Sequence, residues 1–387
     1  MWTARTHAEF YTYAKCATVL KMECVCSTKH LAEAAATALR IVKKKNSLPV
    51  LSCFLITTRK SEFTIVATNL ETGIELTVPA EIGKDGAVAI SADVFTRLVQ
   101  TITAPKVTLS VEDGLLIVSS SAGRSTIKPI PHDDFPKLPR TTTKHTHVVS
   151  AASLKAGIDA VSYSVSLSLV RPELASIYVQ WDENEKALIF ASTDSFRLAE
   201  KKVRFEEPVE FSEVLIPAHN ALDLVATIPL AKDVHIGFDE GQMQVSSPGW
   251  YFISRVVDGT FPDYKSIIPS KYVAEAVMLK EDLVLGLKKN IIFSDESQQV
   301  RFSVNPGKKE FVMSSSNSVV GETTERLDAA LSGESLQINF NLRYLSECLS
   351  HVASDSISMS FGGAGKPLVI RGVSDASYLY LVMPLNR

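Results

Sequence analysis

Apolar and polar positions alternate with a period of two over several short runs, among them FTIVATNL from Phe63, ALIFASTD from Ala187 and VTLSVEDGLLIVSS from Val107. Successive side chains of a strand face opposite ways, so these runs predict half-buried antiparallel strands joined by tight turns. At three octads the period lengthens to that of an amphipathic helix: STKHLAEA from Ser27, SAASLKAG from Ser150 and LKEDLVLG from Leu279. Each has leucine at its fifth place, Leu31, Leu154 and Leu283, at steps of 123 and 129 residues. A second helix follows a strand end at ISADVFTRLV from Ile90, IPAHNALDLV from Ile216 and FNLRYLSECL from Phe340, at steps of 126 and 124. Polar pairs that turn the chain and satisfy its backbone locally recur at Thr68-Asn69, Thr193-Asp194 and Ser316-Asn317. A closing strand runs into Phe135-Pro136 and Phe261-Pro262, and the third copy stops at Met383-Pro384.

The same order of strands and two helices is thus read three times, and a repeat this long is a domain rather than a solenoid unit. The expected class is α+β, with two helices packed on one side of antiparallel sheets in each copy. The copies are placed at 22–142, 143–270 and 271–387, after an extension over 1–21 that lies outside the repeat. Linkers are expected at Lys137 to Lys144 and Ile267 to Tyr272, where Pro, Ser, Thr and Lys interrupt the pattern. The extension lacks the apolar stretch of a secretory signal and the arginine bias of a transit peptide, and reads as an accessory tail or an upstream start.

Composition narrows the class. The chain has 387 residues, 45% hydrophobic and 21% charged, as in globular proteins of two to four domains. No apolar run approaches the roughly 18 residues of a membrane span. Five cysteines, odd in number and without paired C-x-x-C motifs, read as reduced thiols in a cytoplasmic protein, with Cys24 and Cys26 on one strand face. The net charge of -3 argues against a wholly basic nucleic-acid binder but leaves the distribution open. Positive charge gathers on the first helix and its exit, where Lys29, Arg40, Lys43, Lys44 and Lys45 face only Glu33. Elsewhere Arg97 is offset by Asp93 and Lys155 by Asp159, while Lys288 and Lys289 barely exceed Glu281 and Asp282. The lysine run reads either as a solvated helix end at the negative pole of the dipole or as a phosphate-attracting patch.

Catalytic motifs fare poorly. FGGAGKP from Phe361 is similar to a phosphate-binding loop, but Ser360 holds the place of its first glycine and Pro367 replaces the hydroxyl residue after lysine, so a strand-connecting turn is expected. His145 and His147 lack a third ligand. Asp133 and Asp134, as neighbours in an extended chain, point apart. No cofactor, metal or catalytic residue is assigned.

Taken in order, KNSLPVL from Lys45, ATNLE from Ala67, TDSFRLA from Thr193, SRVVDGTFPDY from Ser254, FNLRYL from Phe340 and the terminal VMPL from Val382 make the chain resemble the bacterial sliding clamps, the beta subunit of DNA polymerase III. The resemblance covers all three copies. It implies three similar clamp domains forming half of a head-to-tail dimeric ring, with helices lining a hole that encloses duplex DNA. It implies a processivity factor without catalysis, with the polymerase III alpha subunit, the clamp loader and other polymerases and repair factors as partners, and no membrane. A three-domain peptide-binding scaffold that does not enclose DNA is the alternative, and a hydrolase with an unrecognised site a distant third.

The resemblance also implies three sites. Lys29, Arg40, Lys43, Lys44, Lys45, Arg97 and Arg171 would face DNA, attracting phosphates without reading bases, as sliding requires. A groove between the second and third copies would receive a short hydrophobic peptide. Its lining is Leu174, Thr193, Ser195, Phe196, Arg197 and Leu198 from one side, then Pro262 and Ile267, then Asn341, Tyr344, Pro367, Leu381, Met383, Pro384 and Leu385. Arg197 and Asn341 are expected to fix the peptide backbone; Leu198, Leu381 and Met383 read equally as strand core. Ser195 and Phe196 stand where the family often has Gly and His, Ser266 where a basic residue is common, and the tail ends Leu-Asn-Arg. At the dimer seam Arg124 and Ile127 would meet Ile292 and Phe293, with Glu322 and Glu325 nearby.

Overall fold

A computed structural model describes residues 22–43, 48–140, 146–204, 213–239 and 241–385. The extension over 1–21, Lys44, Lys45 and His145 lie outside the described residues. Six α-helices occur among those described: α1 Thr28–Leu39, α2 Ala92–Thr101, α3 Ala151–Val161, α4 Ala218–Thr227, α5 Lys280–Ile292 and α6 Leu342–Leu349. The octads open α1, α3 and α5, and the strand-end motifs open α2, α4 and α6. Within each copy the two helices pack on each other, and Leu31, Leu154 and Leu283 are each at most 1% exposed. The leucine spacing therefore marks the helix face that enters the core.

The structure falls into two compact units, Met1–Ala67 with Glu75–Pro136, and Thr68–Ile74 with Lys137–Arg387. In the first, strands run in the order Ala80–Lys84, Glu23–Ser27, Lys106–Glu112, Leu115–Ser120, Gly123–Ile127, all neighbours antiparallel. Cys24 and Cys26 both point inward from the second of these strands, and burial pushes each thiol up to about 12. Gly123–Ile127 pairs on one side only and forms an edge.

In the second unit one nine-stranded sheet spans two copies. Its order is Val214–Pro217, Ser176–Asp182, Ala187–Thr193, Arg197–Arg204, Tyr378–Val382, Leu368–Gly372, Ser356–Phe361, Ala274–Leu279, Ala329–Gly333. The copies join where Arg197 to Lys201 pair antiparallel with Val382 to Tyr378. A separate sheet orders Gly321–Leu327, Glu310–Asn317, Gln299–Asn305 and Leu336–Asn341, which leaves Gly321–Leu327 as a second edge.

The polar turn pairs do the same work three times. Thr68 Oγ1 donates to the Thr72 carbonyl at 2.8 Å and Thr193 Oγ1 to that of Arg197 at 2.6 Å, while Asn69, Asp194 and Asn317 each accept two following amides through Oδ1. FGGAGKP is a hairpin turn between Ser356–Phe361 and Leu368–Gly372, with Gly363 and Gly365 at φ 101° and 69°. Glycine closes the second octad because α3 lies almost in contact with the sheet there. A Cβ on Gly157 would come within 2.4 Å of the fully buried Phe190 ring. Gly157→Ala should therefore lower stability by about 1–3 kcal/mol, the usual cost of overpacking. An unchanged denaturation midpoint would mean that the helix can lift off at no cost.

Candidate functional site

The predicted groove residues gather around the strand pair that joins the second and third copies. The turn at Thr193-Asp194 puts Ser195 at φ 79°, a left-handed conformation that favours glycine, and leaves Phe196 61% exposed. The Phe196 carbonyl accepts the Met383 amide at 2.8 Å, and the Leu385 amide donates to the Asn339 carbonyl at 2.9 Å. The tail from Met383 to Leu385 is thereby stitched to one copy at its start and to the other at its end.

Arg197 is the centre of the join. Its side chain is 8% exposed, and Nε donates to Asp194 Oδ2 at 2.9 Å, Nη2 to the Tyr163 carbonyl at 2.7 Å, and Nη1 to Glu347 of α6. The guanidinium also lies 4.3 Å from the centre of the Tyr344 ring and 5.5 Å from that of Tyr163. Burial opposes its charge, but the hydrogen bond to Glu347 and the two carboxylates outweigh it and hold the group protonated beyond the ordinary arginine range. Burial pulls the Glu347 carboxyl the other way as well, yet its bonds to Arg197 and Arg343 keep it below the usual value. Arg197, expected to fix a peptide backbone, is bonded within the chain itself. Its fork is turned inward and fastens the wall, which makes it a positioning residue. Asn341 likewise spends Oδ1 on capping α6, accepting the amides of Arg343 and Tyr344.

Beneath this clasp lies an apolar floor. Leu198 and Leu381 are at most 1% exposed and pack with Tyr178, Phe261 and Tyr264, and with the partly buried Ile268, Tyr272 and Met383. Of the two readings of these leucines, core is the one their burial supports, while Met383 is only partly covered. Thr193, Leu174 and Pro367 are also buried. The surface is made by Phe196, by Ile267 at 50% exposure, by Ser195, and by the half-buried Pro262, Asn341, Tyr344, Met383, Pro384 and Leu385. Sequence reasoning missed Tyr163 and Glu347, which complete the clasp, and Glu200, which accepts the Tyr264 hydroxyl at 2.5 Å inside the floor. Nothing in the charged run RLAEKKVR marked Glu200 as the buried member, and its 6% exposure is what reveals the need for a partner.

The charged and seam residues are placed as follows. Lys29, Arg40 and Lys43 are exposed on α1 and its exit. Arg97 is paired with Asp93 and Lys155 with Asp159 at 2.6 Å, so these two offsets read from the sequence are physical ion pairs, and Arg171 is paired with Glu173 at 2.9 Å. Arg124 and Ile127 share the edge strand of the first unit but face opposite ways. Arg124 pairs with Glu112 at 3.0 Å, whereas Ile127 is 7% exposed and belongs to the core. Ile292 is 65% exposed at the end of α5 with Phe293 half-buried beside it, and Glu322 and Glu325 lie on the edge strand of the second unit, Glu325 bonded to Lys289 at 2.9 Å. Among the described residues no group of three or more His, Cys, Asp or Glu is arranged to hold a metal, and no helix is long and apolar enough to cross a membrane.

Three family models match this chain in succession. "DNA polymerase III beta subunit, N-terminal domain" matches residues 22–139, the central domain of the same subunit 148–263, and its C-terminal domain 265–386. A protein described as "Beta sliding clamp" from Staphylococcus aureus is 25% identical over 359 residues, covering 90% of this chain and 95% of that one. The crystal structure of the DNA polymerase III beta subunit of Thermotoga maritima superposes with a TM-score of 0.88 at 25% identity, over 95% of this chain and all of that one. That of the sliding clamp of Bacillus subtilis gives 0.90 at 24% identity with the same coverage.

The clasp makes the join between copies sensitive to one guanidinium and to acid. Arg197→Met leaves Asp194 and Glu347 facing a buried apolar group and should cost about 3 kcal/mol, and Arg197→Lys should restore less than half, because an ammonium cannot span both carboxylates and the Tyr163 carbonyl. Glu347 has a folded value below its ordinary 4.5, so its contribution is complete above that pH and is lost as pH falls below it. Glu347→Gln should therefore flatten the acid limb of the stability curve. An acid limb identical to that of the native chain would refute the assignment.

Proposed function

The chain belongs to the DNA polymerase III beta subunit family, and on that footing we propose that it is a DNA sliding clamp, a processivity factor without catalysis, that closes as a head-to-tail dimeric ring around duplex DNA. The observation that carries the ring is a matter of unused strand edges. The strand following the turn of the second copy, Arg197–Arg204, pairs with the closing strand of the third, Tyr378–Val382. The corresponding strand of the third copy, Gly321–Leu327, and the closing strand of the first, Gly123–Ile127, are both edges. Two chains that pair these edges reciprocally use both and leave neither over. Exposed Ile292 beside Phe293 supplies the apolar part of such a seam, and Arg124 opposite Glu322 and Glu325 the charged rim. Ile127 supports the seam from beneath the strand.

Duplex DNA would be drawn by Lys29, Arg40 and Lys43, with Lys44 and Lys45 continuing the same run in sequence. Arg97 and Arg171, already paired, would contribute less. Attraction is then concentrated on the first copy and falls with salt as phosphate contacts do. The surface of Phe196, Ile267, Tyr344, Met383 and Leu385 over its apolar floor is the groove for short hydrophobic peptides. Through it we place the polymerase III alpha subunit, the clamp loader and other polymerases and repair factors. Copies bounded at 142 and 270, and a cytoplasmic location consistent with the free thiols of Cys24, Cys26, Cys53 and Cys348, complete the reading.

Gel filtration should give a dimer of twice 42.2 kDa, retained on circular DNA and released when the circle is cut. Ile292→Asp should yield monomers that are not retained. A native chain that stays monomeric at micromolar concentration, or binds cut and closed circles equally, favours the scaffold reading. Removing Met383 to Arg387 should abolish binding of a short apolar peptide and leave the dimer intact; unchanged peptide affinity would displace the groove.

A further inference from the structure

The floor of the proposed groove is apolar on its surface and charged at its margins. Two of its aromatic residues end in hydroxyls, and each hydroxyl donates to a carboxylate: Tyr264 to Glu200 Oε2 at 2.5 Å and Tyr178 to Glu213 Oε2 at 2.8 Å. The rings are in mutual contact. Tyr178 stacks on Phe261 with centroids 4.8 Å apart, Tyr264 meets both edge-on at 6.4 and 5.9 Å, and all three pack with Leu198 and Leu381. Burial first, and the adjacent carboxylate after it, hold both phenols protonated above the ordinary tyrosine range, so each proton belongs to its phenol and the glutamate accepts. Glu200 is 6% exposed on the strand Arg197–Arg204, and Glu213 is exposed just ahead of the strand Val214–Pro217.

Neither carboxylate is offset by a cation. Among the described residues each has a tyrosine hydroxyl as its partner and no ion pair, and a phenol answers a hydrogen bond without cancelling a charge. The cations that border the groove are committed to other carboxylates: Arg197 to Asp194 and Glu347, Arg343 to Glu347 at 2.6 Å, Lys265 to Asp182 at 4.0 Å and Lys201 to Asp375 at 3.4 Å. Lys366 is exposed on the hairpin turn before Pro367 and bonds to no residue of the floor. On the surface Ser195, Phe196, Ser266 and Ile267 add no charge. A floor of buried rings and leucines screens poorly, so charge held at its edge is felt where a peptide would lie.

We infer that the groove selects short apolar peptides that carry a lysine or arginine beside their hydrophobic anchors and rejects those with an aspartate or glutamate there, with Glu200 and Glu213 as the specificity-determining residues. The inference rests on the groove reading above and names the chemistry of what the groove accepts. The apolar anchors supply affinity, and the two tyrosine-held carboxylates supply discrimination, favouring one sign of charge and penalising the other.

The test uses the full chain and three fluorescent peptides that share a core of leucine and phenylalanine and differ in one flanking residue, lysine, glutamine or aspartate. At low salt the lysine peptide should bind the native protein about fivefold more tightly than the glutamine peptide, and the aspartate peptide about fivefold more weakly, the scale of one exposed charge pair. Both gaps should close as salt is raised. In Glu200→Gln/Glu213→Gln the amide oxygens can still accept the two phenols, so the glutamine peptide should keep its affinity while the three peptides converge. Glu213→Gln alone changes an exposed residue and should remove part of each gap, which gives a readout even where the double variant does not fold. Equal affinities of the three peptides for the native chain, or gaps unchanged in Glu213→Gln, overturn the inference and leave the groove standing. So does a reversed order with the aspartate peptide tightest, which would assign the local field to Lys265 and Lys366. Failure of all three peptides to bind the native chain strikes the groove reading itself, and the selectivity falls with it.

Discussion

A single buried cation holds the second and third copies in register. Arg197 is enclosed by two carboxylates, one carbonyl and two aromatic rings, from residues up to 150 positions away from it in the chain. Burying a guanidinium is unfavourable unless every side of it is answered. Here Asp194 answers from the same turn, Tyr163 from the end of α3 and Glu347 from α6. The cation therefore demands that three elements be present together. Such a centre gives modest net stability and strong specificity of arrangement.

The surface above depends on that arrangement. Pairing of Arg197 to Lys201 with Val382 to Tyr378 turns two repeats into one sheet, and the turn that supplies Arg197 also supplies the exposed Phe196. Because the Phe196 carbonyl holds the Met383 amide, the tail is positioned by the same four-residue turn that fixes the clasp. An apolar socket composed of Met383, Leu385 and Tyr344 is adaptable in its side chains and fixed in its backbone. That combination suits a surface serving several peptides.

Periodicity and spacing made much of the fold legible. The fifth-place leucines marked buried helix faces, the polar pairs marked turns, and the inward face of Cys24 and Cys26 followed from strand alternation alone. These are local signals, carried within a dozen residues. What could not be read is the partner of a long-range contact. Nothing near Arg197 in sequence distinguishes a cation that reaches outward to a ligand from one that turns inward to Glu347. Arg124 and Ile127 look like neighbours on an edge, yet an odd separation along a strand sends them to opposite faces.

The two unlike edges have a consequence for assembly as such. Strand edges are sticky, and one chain here owns a complementary pair of them, Gly123–Ile127 and Gly321–Leu327. Surfaces of that kind are heterologous: joined repeatedly, they give either an endless filament or a closed cycle, according to the angle each joint turns. If the proposed pairing holds, a monomer is a polymerisation-competent species, and closure after two chains is what terminates growth. Any change that altered the turn per joint while preserving the joint would convert a finite particle into a fibre.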